Sequence, residues 1–155
     1  MINPRDYKFR KFIYNKNIEK ICDFHKEHIK INFPGSKFKK QIFKKQVKEA
    51  YKKEPKGMLV LTDKNGKIVG FLWLQTKMDV YKDTYYGDVH YVHVAPELRK
   101  QGLGKMLMKK TEEYFSKNKK ITEYRLGTHV DNKAAYNLYK KFGYSPIRVM
   151  MIKKI

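Results

Sequence analysis

Arg99-Lys100-Gln101-Gly102-Leu103-Gly104 sets two glycines two apart, between an apolar strand ending at Val94 and an amphipathic helix. Glycine admits positive φ and carries no Cβ, so a ligand can reach the backbone there. The first N–H groups of the following helix lack internal acceptors, and together with the helix dipole they favour a phosphate. Lys100, Lys105 and Lys109 add charge. Two nucleotide-binding patterns do not fit. A P-loop needs wider glycine spacing followed by Lys and Ser/Thr, whereas Gly104-Lys105-Met106 stands here; the dinucleotide fingerprint needs a third glycine where this chain has Leu107. The plainer alternative is a helix entry whose glycines only shape a turn.

A second segment, Asn132 to Tyr144, runs Asn-x-x-Ala-x-x-Leu-Tyr-x-Lys-x-Gly-aromatic, through Ala135, Leu138, Tyr139, Lys141 and Gly143. With the glycine turn upstream, it resembles the GNAT superfamily of acyl-CoA N-acyltransferases. The resemblance is clear over residues 88–144 and consistent in element order along the chain. It implies an α+β fold: a mixed, mostly antiparallel sheet of six or seven strands flanked by about four helices. It also implies acetyl-CoA as co-substrate, no metal, and an amine-bearing acceptor, protein or small molecule. Family members are monomers or homodimers.

Residue by residue, the resemblance assigns the cofactor diphosphate to backbone N–H groups of Arg99, Lys100, Gln101, Gly102, Leu103 and Gly104. It assigns the pantetheine arm to the backbone of Val92, His93 and Val94, where one N–H also polarises the thioester carbonyl, a fixed donor for a developing oxyanion. Asn132 matches a cofactor contact; Asp131 or Asn132 is equally suited to cap the next helix. Tyr139 matches the general acid, a phenol placed to protonate the departing thiolate; otherwise it belongs to that helix's apolar stripe.

The base is less determined. Relatives that modify protein N-termini often carry Glu five residues before the motif Asn, where this chain has Gly127. Asp88 and His90 lie on the strand before the glycine turn, and alternation puts both on one face. His90 is of the residue type suited to proton transfer near neutrality. The same alternation sends His93 to the opposite face as a packed histidine. His129 is a further candidate, and a water chain can replace a single base. Residues 76–87, rich in Asp and Tyr, read as a loop on the substrate side, where Asp79, Asp83, Asp88 and tyrosine rings suit a cationic amine or simply solvate a hairpin.

Cys22-x-x-His25-x-x-His28 has metal-like residue types, but on a helix the three drift around the axis and no fourth ligand is evident, so Cys22 reads as core. The net charge of +21 comes from 36 Lys+Arg against 15 Asp+Glu, and only five are arginine. Base readout and bidentate phosphate clamps favour Arg, so scattered lysine reads as a solvated surface. The alternative function is a catalytically silent protein of the same fold that binds ribosome or nucleic acid through its basic surface. One cysteine, no long apolar run and no signal-like N-terminal stretch point to the cytoplasm and away from a membrane.

These residues need elements to hold them, and 155 residues suit one domain over the whole chain, 1–155. The patterns predict a strand at 7–14 and helices at 18–31 and 37–53. Strands follow at 58–61 and 68–74 around Asn65-Gly66, a hairpin signal. A strand at 88–94, a helix at 102–117, a strand at 122–130, a helix at 133–142 and a last strand at 147–152 complete the order. Strand–helix–strand units late in the chain favour a mixed sheet covered by helices.

Overall fold

The protein is described by a computed structural model covering residues 2–155. Five strands form one sheet in sequence order: β1 (Lys8–Lys11), β2 (Met58–Thr62), β3 (Ile68–Asp79), β4 (Thr84–Val94) and β5 (Ile121–Arg125). The first three pairings are antiparallel and β4–β5 is parallel. The helices are α1 (Tyr14–Asn32), α2 (Lys40–Lys53), α3 (Leu103–Phe115) and α4 (Lys133–Lys141). The mixed, mostly antiparallel α+β class holds, but the sheet has five strands rather than six or seven. Residues 147–152 have the composition of a strand but form none, and pair with no strand among the described residues.

A second departure concerns residues 76–87. β3 runs to Asp79 and β4 begins at Thr84, so the expected loop shrinks to a turn at 80–83. The carboxylate of Asp79 explains the tight turn: Oδ1 accepts from the N–H of Tyr81 (3.0 Å) and Lys82 (3.2 Å), and Oδ2 pairs with Arg125 of β5. Arg125 in turn lies 4.0 Å over the Tyr86 ring. Of the acidic and aromatic residues read as an amine site, Asp79 and Tyr86 therefore hold the hairpin to β5.

α1 buries Ile18, Ile21, Cys22 and Phe24, and α2 buries Phe43, Val47 and Ala50, each at helical spacing. Both cover the sheet face carrying Phe71 and Tyr91, with Phe12–Phe71 and Phe71–Tyr91 centroids 5.5 and 5.8 Å apart. α3 buries Leu103, Leu107, Met108 and Phe115 on the other face. Gly87 is required there: a Cβ would come within 2.7 Å of the Phe115 ring. Glu54, just past α2, joins the layers by accepting from Thr76 N–H (2.7 Å), Thr76 Oγ1 (3.0 Å) and the Tyr114 hydroxyl (2.7 Å).

Candidate active site

The glycine turn is a row of unused donors. Arg99 N–H donates to the Pro96 carbonyl, and the next backbone donor with an acceptor is Met106, bonded to the Gly102 carbonyl. The six intervening N–H groups, Lys100 to Lys105, have no acceptor among the described residues. Two left-handed residues shape the row, Lys100 at φ 60° and Gly102 at φ 98°. A Cβ on Gly102 would meet nothing within 4 Å, so that glycine serves the backbone angle and leaves the face open. Gly104 differs: its Cβ would lie 3.0 Å from Leu138 Cδ2, so it lets α4 approach the first turn of α3.

Arg99 turns away from this row. Its Nε donates to the Val94 carbonyl (3.0 Å) and its Nη2 pairs with Glu27 Oε1 of α1 (3.0 Å). Arg99 therefore fastens the turn to the end of β4 and leaves the row of backbone N–H groups open. Gln101 likewise folds back, Nε2 donating to the Glu97 carbonyl at 3.2 Å.

β4 lies open beside the turn. β5 pairs only with Tyr85 to Asp88, so from Val89 to Val94 the strand has a partner on the β3 side alone. Ala95 N–H donates to the Val69 carbonyl at 2.8 Å. Antiparallel bonding alternates along the ladder, so His93 exchanges its backbone bonds with Phe71, and Val92 and Val94 direct theirs into the open side. The Arg99 bond to the Val94 carbonyl agrees with that direction. Of the three residues assigned to the pantetheine arm, Val92 and Val94 thus offer backbone groups, and His93 supports them from within the sheet.

A bulge re-aims the histidines. Trp73 opposes Tyr91 and Leu74 opposes Val89, which leaves His90 as the extra residue. His90 lies 4.1 Å from the Trp73 ring, and Tyr91 stacks toward His93 at 6.1 Å. His90, Tyr91 and His93 consequently all face α1 and α2. The expectation that His93 points to the opposite face from His90 fails, because simple alternation does not survive a bulge. His93 is buried as expected, stacked on Phe24 at 4.4 Å. Its Nε2 lies 3.1 Å from Glu27 Oε2 but is not aligned to hydrogen-bond it. Burial holds the His93 pKa down to about 3.

Asp88 and His90 do come together, Oδ2 to Nδ1 at 3.2 Å, with Lys77 Nζ 2.6 Å from the same oxygen. Burial pushes the Asp88 carboxyl up, but the hydrogen bonds from His90 and Lys77 outweigh it and leave it below the usual range. Asp88 is therefore ionised near neutrality: a poor base and a good orienter of the His90 ring. His90, more exposed, keeps its other nitrogen free of Asp88.

On the far side, Asn132 caps α4, its Oδ1 accepting from Ala135 N–H at 3.2 Å, and its Nδ2 donates to Asn32 Oδ1 of α1 at 3.3 Å. Tyr139 is half-buried on α4, its ring 6.1 Å from Tyr144. Burial alone pushes its phenol up to about 12. His129 sits in the loop after β5 beside Asp131 (3.4 Å) and Phe33 (6.3 Å), and Gly127 is open with nothing near its Cβ position. Cys22 is core, and His25 stacks on Phe43 at 3.8 Å. Glu27, Lys77 and Asn32 were not legible from motifs.

The fold and site define a sheet opened along one strand, with a phosphate-ready helix start at its end. Residues 22–144 match the Acetyltransferase (GNAT) family, and the chain belongs to that family. It is 33% identical over 92 residues to mycothiol acetyltransferase of Arthrobacter sp. (strain FB24), covering 59% of this chain and 28% of that protein. An uncharacterized N-acetyltransferase of Methanocaldococcus jannaschii is 33% identical over 104 residues, covering 59% and 42%. The chain thus spans well under half the length of these curated relatives. Among solved structures, a possible acetyltransferase from Clostridium difficile 630 superposes with TM-score 0.76 at 19% identity, covering 96% of this chain and 97% of the other. Ard1 from Thermoplasma volcanium superposes with TM-score 0.73 at 20% identity, covering 92% and 85%. At such identity these neighbours speak to the fold alone. No helix among the described residues is long and apolar enough to cross a membrane.

Proposed function

We propose that the chain is an acetyl-CoA-dependent N-acetyltransferase that passes the acetyl group directly to a primary amine, without a covalent acyl-enzyme. The observation that carries this reading is the row of six unpartnered N–H groups at the start of α3, set at the end of an opened β4 in a chain of the acetyltransferase family. Acetyl-CoA, when bound, supplies an activated acyl carbon and a thiolate leaving group. The N–H groups of Lys100 to Lys105 bind the diphosphate. Val92 and Val94 hold the pantetheine arm as an added strand and aim a donor at the thioester oxygen. His90, oriented by Asp88, takes a proton from the protonated acceptor before attack, or from the nitrogen as it bonds to the acyl carbon, directly or through water. Tyr139 donates to the sulfur as the C–S bond breaks.

Calorimetric titration with acetyl-CoA tests the reading together with thiol release in an amine screen; absence of binding at tens of micromolar overturns it. A backbone substitution makes the test specific. Lys105 stands in the first turn of α3, where its N–H has no helical acceptor and proline is tolerated. Lys105→Ala removes a charge, whereas Lys105→Pro removes the charge and one donor. A charge-assisted hydrogen bond is worth about 1.5–3 kcal/mol, so Lys105→Pro is expected to bind acetyl-CoA at least about tenfold more weakly than Lys105→Ala, with the circular dichroism unchanged. Equal affinities remove this N–H from the phosphate site.

The His90 assignment is checked by kcat/KM. Asp88→Asn is expected to lower kcat/KM about tenfold and His90→Ala about a hundredfold, with acetyl-CoA affinity unchanged in both. A His90→Ala variant that keeps its rate assigns the base elsewhere.

A further inference from the structure

β4 and the chain that continues from β5 part after Asp88 and leave a gap between them. α1 lies across that gap. On the β4 side its Phe24 ring stacks on His93 at 4.4 Å, its His28 ring lies 5.1 Å from Tyr91, and Glu27 pairs with Arg99 at 3.0 Å. On the other side its last residue, Asn32, accepts from Asn132 Nδ2 at 3.3 Å, and Phe33 meets His129 edge-on at 6.3 Å. The sheet does not hold this second side. β5 ends at Arg125, and residues 126–132 pair with no strand among the described residues. α4 is held near its far end, where Leu138 packs against Gly104.

The bond between the two asparagines runs in one direction. The Ala135 N–H can only donate, so it takes Asn132 Oδ1 (3.2 Å) and turns Nδ2 toward α1. The His28 carbonyl can only accept, so it takes Asn32 Nδ2 (3.0 Å) and turns Oδ1 toward α4. Two amides, each oriented by its own helix, therefore meet donor to acceptor. Asn32 is 7% exposed. Burying an amide is costly unless its polar atoms are bonded, and here the bonds that offset the cost tie α1 to α4.

We propose that Asn32 is a positioning residue for acetyl-CoA: acting through Asn132, it holds the start of α4 at a fixed distance from β4 and so sets the width of the gap. The inference rests on the reading of this gap and of the N–H row as the acetyl-CoA site. With the pantetheine arm laid along β4, the start of α4 is the opposite wall. Without the Asn32 bond, that wall is free to swing about Leu138, and ordering it again opposes binding.

The test is calorimetric titration of the full chain with acetyl-CoA, beside urea titration of the same variants. Asn32→Ala removes both bonds of the amide; Asn32→Leu does the same while filling the volume, and serves if Asn32→Ala does not fold. Asn32→Asp keeps an acceptor for Asn132 and loses only the donor to His28. All three are expected to lose stability through the His28 bond. Asn32→Ala and Asn32→Leu are expected to bind acetyl-CoA about fivefold more weakly than wild type, the effect of one neutral hydrogen bond. Asn32→Asp is expected to stay within about twofold, its single added charge being screened. In an Asn132→Ala background, Asn32→Ala is expected to cost no further affinity, because the partner it acts through is gone. Asn32→Asp binding as weakly as Asn32→Ala marks a purely structural role for the end of α1 and overturns the proposal. Unchanged affinity in Asn32→Ala overturns it too, as does a further loss in the double variant. Each of these outcomes leaves acetyl-CoA binding by the wild type, and the proposed function, standing; a wild type that does not bind overturns both.

Discussion

Tyr139→Phe is expected to lower kcat about a hundredfold while acetyl-CoA affinity stays within about twofold. The magnitude follows from the environment of the phenol. Burial on α4 pushes it up to about 12, so it is protonated at every working pH and always available as a donor. Yet a thiol ionises near about 8.5, and a phenol several units weaker as an acid does not surrender its proton outright to a thiolate. Tyr139 therefore acts by a hydrogen bond that strengthens as charge builds on sulfur. Bonds to charged groups are worth about 1.5–3 kcal/mol, which is a factor of roughly ten to more than a hundred. Phenylalanine keeps the ring against Tyr144 and removes only that bond, so the loss falls on kcat rather than on stability or binding. A second consequence is that Tyr139 adds no basic limb below about pH 10. Stopped-flow thiol release under saturating acetyl-CoA measures the chemical step; unchanged single-turnover rates remove Tyr139 from the acid role.

The parts of this site that were legible in the sequence are those whose signal is local. Gly102 and Gly104 with the helix behind them, the Asn132 cap, and the helical stripe holding Leu138 and Tyr139 each need only neighbouring residues. The parts that were missed depend on pairing between distant segments. Reading 76–87 as a loop fails because the turn is set by Asp79 bonding Tyr81 and Lys82 and pairing with Arg125, forty-six residues away. Placing His93 opposite His90 fails because a bulge is a mismatch between two strands, invisible in either alone. Glu27 is a further case: an unremarkable helix carboxylate until α1 is laid over β4 and one oxygen meets Arg99. Residues 147–152 are the converse: the local pattern predicts a strand, but a strand needs a partner, and among the described residues none pairs with it. Gly104 adds a caution about motif glycines. Of the two in the turn, one answers to backbone angle and the other to the α3–α4 contact, and the spacing alone does not tell them apart.

Lowering the pH from 7 to 5 is expected to remove on the order of 3 kcal/mol of folding stability. The same face that presents His90 holds three imidazoles with depressed ionisation, His93 buried and His25 and His28 half-buried. Burial holds His25 down to about 4, with repulsion from His28 and His90 adding to it; burial lowers His28 as well, and His93 to about 3. Repulsion from Arg99, His28 and His25 adds to the effect of burial on His93. Each of these groups ionises more readily in the unfolded chain, near about 6.5. Their contribution is thus fully present above that pH and is lost as pH falls from there toward the folded values. His93 accounts for about 2 kcal/mol of the loss by pH 5, and half-exposed His25, discounted for screening, for about 1. The lowered carboxyls of Asp79, Asp88 and Glu123 work in a separate window, since their stabilisation persists until pH falls below the unfolded carboxylate range. Urea titrations at pH 7, 6 and 5 therefore isolate the histidines. His25→Phe sharpens the test: Nδ1 has no hydrogen-bond partner to lose, and a phenyl ring preserves the stack on Phe43. That variant is expected to recover about 1 kcal/mol at pH 5 and little at pH 7. Stability that stays flat from pH 7 to 5 would mean that the three imidazoles are as free to charge in the folded protein as in water.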